Sequence, residues 1–349
     1  MNNLYHYIDN MKSDAEIMQN LDAKEYVQSY IREGKGNISI GTILKLTLSL
    51  FFREVRTVLK LCISIIVISL LCALLKNLQE AFSDESISQI AFYACYALII
   101  MILSKSFIVS ITVAKDLIQN ISEFMSALLP ILATMIGLTG GVTQAATLDP
   151  IIIACVVFIP KLYANIIIPL ILMQFVLEFA NNLSNKHKVG NLSDLLRQCV
   201  VWIQGGVITI FIGILTIKGI TTSTLDAVTL KTAKFAVDNF IPIVGKAFSD
   251  AITSIAGYSL IIKNAVSSVG LIVIVLMMLH PIIKLVLMTL VYKVSSALIE
   301  PISDTRIIKS LEAAGKSMVL ITSCVFSVSL MFFVLIAIMA SSGKYIIGG

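Results

Sequence analysis

Two lysine–aspartate pairs, Lys234 with Asp238 and Lys246 with Asp250, flank Pro242 and Gly245 in the segment Thr232–Ala251. Residues four apart share one face of a helix, so each pair can partner across a turn. Between the pairs, Pro removes a backbone donor and Gly loosens the chain, which interrupts whatever helix forms. Charged half-helices around irregular backbone are tolerated at membrane depth only when buried in protein or bordering a wet cavity. The chemistry this spacing suits is the passage or gating of a polar solute. The competing reading is an amphipathic hairpin on the surface, its lysines among lipid headgroups. Lys293, alone in the apolar run Leu285–Ile299, is the second candidate, an intramembrane charge. An ionisable group inside a span costs roughly 2.5–3.5 kcal/mol, so it faces a cavity or snorkels outward. Lys161, beside Pro160 at an expected bend, fits snorkelling, and Glu178 and Glu300 stand at span ends.

Other chemistry finds no residues to carry it. His6, His187 and His280 stand far apart in sequence, and there is no HExxH, GxSxG or GxGxxG. His280, before Pro281 near a span end, reads as packed or interfacial rather than as a proton relay. Gly315-Lys316-Ser317 resembles the end of a phosphate-binding loop, but Ser310 stands where the upstream Gly is needed. The six cysteines (Cys62, Cys72, Cys95, Cys155, Cys199, Cys324) form no CxxC pair and lie in or beside apolar runs, as small hydrophobes do. The expectation is a protein with no catalytic residues, no metal site and no cofactor.

The elements that must position these residues follow from composition. Of 349 residues, 57% are apolar and 13% charged, with a mean hydropathy of +0.93; soluble domains run at about 45–50% and about 25%. That excludes a soluble enzyme, a disordered chain and a disulfide scaffold. A net charge of +5 and a single Trp give no footprint for nucleic acid, while the mild excess suits contact with an anionic lipid bilayer. The expected fold is all-α: a polytopic membrane helix bundle of about seven or eight spans, since about 20 apolar residues cross a hydrocarbon core. Gaps between charges place the spans near 61–78, 86–104, 124–148, 150–177, 198–217, 264–283, 285–299 and 317–343, the last two of the 264–299 region being either two spans or a kinked pair.

Three regions are expected. Residues 1–39 are a polar N-terminal segment with helical periodicity in Leu21–Ile31. Residues 40–60 form an amphipathic interfacial helix, with Leu44, Leu48, Phe51, Phe52, Val55 and Leu59 opposite Lys45, Arg53, Arg56 and Lys60. Residues 61–343 are the transmembrane bundle, carrying the amphipathic or re-entrant segment 226–262. No basic start followed by an apolar stretch and a cleavage site precedes residue 61, so the first span is expected to be retained. Pro130, Gly137, Gly140 and Gly141 interrupt Phe124–Leu148, and the strings LLPILAT and NFIPIVG are loosely alike, a pointer to a repeat. Basic clusters alternate as a cytoplasmic N-terminus requires until Lys218–Lys263, which that scheme puts on the wrong side.

Five strings in order carry a resemblance: LTLSLFFREV, LLKNLQEAF (Leu74–Phe82), TAKFAVDNFIPIVGKAFSDA, LIIKNAV (Leu260–Val266) and ALIEPISDTRI (Ala297–Ile307). They resemble the stage III sporulation protein AE family across roughly residues 40–340. The resemblance implies an integral membrane protein of endospore formers, made in the mother cell and placed in the membrane around the engulfed forespore. It implies partners from one operon, a secretion-type ATPase and ring-forming intermembrane proteins, in a channel that sustains forespore development; a homo-oligomer is compatible with it. Within that complex the chain would be pore, export gate or platform. Two other readings stay open: an ion-coupled small-solute permease using Lys293, and a structural membrane scaffold with no conduit.

Overall fold

The computed structural model describes residues 23–33, 40–82, 85–139, 142–183, 189–240 and 245–341. Every element among the described residues is a helix. A chain this apolar has no water to satisfy its backbone in the bilayer, and helices satisfy each N–H and C=O internally. In order they are α1 (Ala23–Glu33), α2 (Ile40–Phe82), α3 (Glu85–Leu138), α4 (Val142–Leu162), a π turn (Tyr163–Ile167), α5 (Ile168–Leu183), α6 (Gly190–Phe240), α7 (Gly245–Ile299) and α8 (Thr305–Ser341).

Among the described residues six stretches are long and apolar enough to cross a membrane: Thr47–Leu75, Tyr93–Leu138, Pro150–Asn182, Gly190–Ile217, Ser254–Ile299 and Thr305–Ser341. The count falls just short of the expected seven or eight for one reason. Apolar runs separated by a charge in sequence are joined in one continuous helix, and a continuous helix crosses only once. Residues 86–104 and the first part of 124–148 both belong to α3, whose Lys105 and Lys115 are exposed. Residues 264–283 and 285–299 both belong to α7, with Pro281 inside it. The amphipathic stretch 40–60 and the first span are likewise the single helix α2, whose Leu44, Leu48, Phe51, Phe52 and Leu59 are exposed.

Prolines break less than the sequence suggests. Pro130 sits inside α3, which ends only at Leu138, where the Thr139 N–H reaches the Met135 carbonyl at 3.1 Å. LLPILAT is therefore helix interior, whereas the middle of NFIPIVG, residues 241–244, lies outside the described residues. Pro160 lies within α4 and cannot donate to the Val156 carbonyl one turn back. The Ser122 hydroxyl of α3 donates to that carbonyl instead, at 3.1 Å. The π turn follows at once, a local widening typical of places where the regular ladder is disturbed.

The bundle is organised around α8. Of its most apolar window 61% is buried, against 22% for that of α6. α8 packs along α7 and also against α3, α5 and α6. Its run Ala313, Ala314, Gly315 brings small residues to the interface, and a Cβ on Gly315 would stand 3.7 Å from Tyr292 and Lys293 of α7. Close backbone approach of this kind is how helices associate without a hydrophobic drive between them. α1 buries Tyr26 and Val27 and packs on α7.

Candidate functional site

A seam of polar side chains runs between α5, α6 and α8. Gln174 on α5 is buried, and its amide oxygen accepts from the Ser317 hydroxyl of α8 at 2.9 Å. Its amide nitrogen lies 3.4 Å from Ser193 Oγ on α6. Ser193 also donates to Glu178, one turn along α5 from Gln174. Three turns further along α6, Gln204 repeats the pattern. Its oxygen accepts from Ser323 at 2.8 Å and its nitrogen donates to Cys324 Sγ at 3.0 Å, both on α8. In an apolar surrounding such amides and hydroxyls must satisfy one another, so each bond also sets the rotation of its helix.

A second set ties α2, α3, α7 and α8. Tyr96 and Ser310 hydroxyls meet at 2.8 Å, Ser106 pairs with Tyr292, and Cys62 Sγ lies 3.3 Å from Ser295 Oγ. His280 Nε2 stands 3.0 Å from Glu54 Oε1, joining α7 to the polar side of α2. Lys263 is fully buried, and its ammonium donates to the Ala340 carbonyl at 3.0 Å. That carbonyl is one of the last four of α8, which lack intrahelical donors and carry the negative end of the helix dipole. The seam holds no activated nucleophile and base. What it does is register one helix against another.

The residues singled out in sequence fall in two places. Lys234 and Asp238 lie in the last turns of α6, and Gly245, Lys246 and Asp250 in the first turns of α7. Pro242, and the side chains of the four charged residues, lie outside the described residues. The described helix bounds thus put a charge-bearing helical stretch on each side of Pro242. Lys293 is exposed on α7 and, with Arg197 and Gln198 of α6 and Lys316 of α8, lines an open cleft of about 380 Å³. Lys161 is exposed. Gly315-Lys316-Ser317 sits in the middle of α8, where the backbone donors are already used. Among the described residues no group of His, Cys, Asp or Glu is placed to hold a metal ion.

Sequence reading missed the seam. Its signal is Gln174 and Gln204, neutral amides inside otherwise apolar runs, which the spacing of charges does not mark. The partner of His280, 226 residues away in sequence, had no signal at all.

Residues 21–343 match the family model of stage III sporulation protein AE. The chain belongs to that family. It is 32% identical over 301 residues to the stage III sporulation protein AE of Bacillus subtilis (strain 168), an alignment covering 86% of this chain and 75% of that protein. No solved structure matches the fold. The region shared with the stage III sporulation AE family takes in every described helix from α1 to α8, so the seam, the basic cleft and the arms around Pro242 all lie within it. As a member of the family with six membrane-length helices among its described residues, the chain is a multi-pass membrane protein of sporulation.

Proposed function

We propose that this chain is the membrane-embedded gate or platform of a complex that joins mother cell and forespore, seated in the mother-cell membrane around the engulfed forespore. Its partners in this reading are a secretion-type ATPase and ring-forming proteins between the two membranes. Family membership supports the sporulation setting. The observation that carries the conduit is the continuation of α6 and α7 as helices through a charge-bearing stretch on either side of Pro242. α6 runs on to Phe240, 23 residues beyond Ile217, the end of its apolar stretch, or about 35 Å at 1.5 Å per residue. A solvated loop of that composition needs no such arm, whereas a lining or gating element does.

The test is genetic and chemical together. Pro242→Leu and Asp250→Lys should each block late forespore development while the protein stays inserted and abundant in membrane fractions. Wild-type spore yield from both variants rejects a role for the arms. In a background with the six free cysteines replaced, single cysteines from position 234 to 250 should react with a membrane-impermeant thiol reagent in a helical pattern. Uniform protection would leave a packing scaffold as the function.

A further inference from the structure

We infer that the cleft between α6, α7 and α8 holds the phosphate headgroup of an anionic phospholipid. Arg197, Lys293 and Lys316 converge on it from three different helices, with Gln198 as a further polar group. All three cations lie inside membrane-length apolar stretches, where each carries a cost and each raises the cost of the others. Among the described residues only one of them is answered: Asp194 pairs with Arg197 at 2.9 Å. Lys293 and Lys316 have no carboxylate within ion-pair distance among the described residues; Glu312, one turn before Lys316 on α8, makes no such pair. The cleft is thus a concentration of uncompensated positive charge that an anion from outside must answer.

The rest of the lining says which anion. Val201, Trp202, Val319 and Leu320 form its apolar wall, and Trp202 is 79% exposed, with Val201 and Val319 also open. The cleft therefore faces the lipid-side surface of the bundle and not its interior. A molecule with a phosphate at one end and acyl chains at the other matches both parts; a free inorganic anion matches only the first. Depth agrees. Arg197 is seven residues from the start of α6 and Lys293 six from the end of α7, so both lie about 10 Å inside the helix ends. Flexible cationic side chains span that distance to headgroup level, and Trp favours the same zone. Basic pockets between membrane helices bind anionic headgroups on these grounds. The site is separate from the arms around Pro242, and its failure would leave the channel reading untouched.

Trp202 is the only tryptophan in the chain, so its fluorescence reports on this cleft alone. The full-length protein is reconstituted with increasing mole fractions of dibrominated phosphatidylglycerol or dibrominated phosphatidylcholine. Phosphatidylglycerol should quench Trp202 at a mole fraction lower by roughly tenfold, the scale set by two uncompensated cations. Lys293→Gln with Lys316→Gln should erase the preference, while Lys293→Arg with Lys316→Arg should keep it. Equal quenching by the two lipids in the wild-type protein would overturn the inference without recourse to any variant. So would a preference that survives double neutralisation. Loss of the preference in millimolar inorganic phosphate would reassign the cleft to a free anion and overturn the lipid.

Discussion

Gln174 shows what a single neutral amide does in this bundle. It reaches hydroxyls on two other helices, Ser193 and Ser317, and bonds of this kind between membrane helices contribute about 1–2 kcal/mol at most. Gln174→Leu should therefore lower stability by about 1–2 kcal/mol, read as an earlier thermal unfolding midpoint in detergent, with Gln174→Glu no rescue because it brings a second carboxylate close to Glu178. The Glu54–His280 contact makes a sharper comparison. Glu54 is buried, so His280→Leu strands its carboxylate, whereas Glu54→Gln keeps a hydrogen-bonding group opposite the imidazole. Thermal unfolding should rank His280→Leu as the more damaging of the two; midpoints unchanged from the wild type in both variants would mean the pair contributes nothing.

Among the elements, the α4 to α5 stretch carries its prolines because a neighbour compensates for them. Ser122 supplies the donor that Pro160 denies to the Val156 carbonyl. This makes a double-mutant cycle decisive. Ser122→Ala alone should destabilise by about 1 kcal/mol, the ordinary worth of one satisfied buried carbonyl. In a Pro160→Ala background the backbone regains its own donor, and the same Ser122→Ala change should cost almost nothing. A closer contact governs α7: a Cβ on Gly270 would stand 2.8 Å from the Leu128 side chain of α3 and 3.4 Å from Ile336 of α8. Gly270→Ala forces these groups to shift, at about 1–3 kcal/mol, and the same change should cost less in a Leu128→Ala background, where the nearest clashing side-chain end is gone.

The whole molecule has a parity that the helices set. If each of the six membrane-length stretches among the described residues crosses once, the chain lies on one side of the membrane before α2 and again between α6 and α7, and on the other side between α2 and α3 and between α5 and α6. Reporter fusions after residues 40 and 240 should therefore give one signal and fusions after 80 and 190 the opposite one. Eight separate spans would instead pair 40 with 190. That six-crossing parity would put the Lys218–Lys263 stretch on the same side as Arg53, Arg56 and Lys60, and would move Lys186 and Lys188 to the opposite side.

Composition and run length alone determined that this is an all-helical membrane protein and where its apolar stretches lie, while five strings in order carried the resemblance to its family. Burial in lipid leaves the backbone no other solution, and collinear strings survive without any knowledge of contacts. Which runs join into one helix was not legible, because a lone lysine at the surface of a long helix breaks hydropathy without breaking the hydrogen-bond ladder. The partners were not legible either. Ser317 and Gln174, Glu54 and His280, and the gathering of Lys293 with Arg197 and Lys316 each bring together residues far apart in sequence. Only the way α8 packs against α5, α6 and α7, and α2 against α7, decided them, because contact between helices depends on rotation and register that no periodicity within one helix encodes.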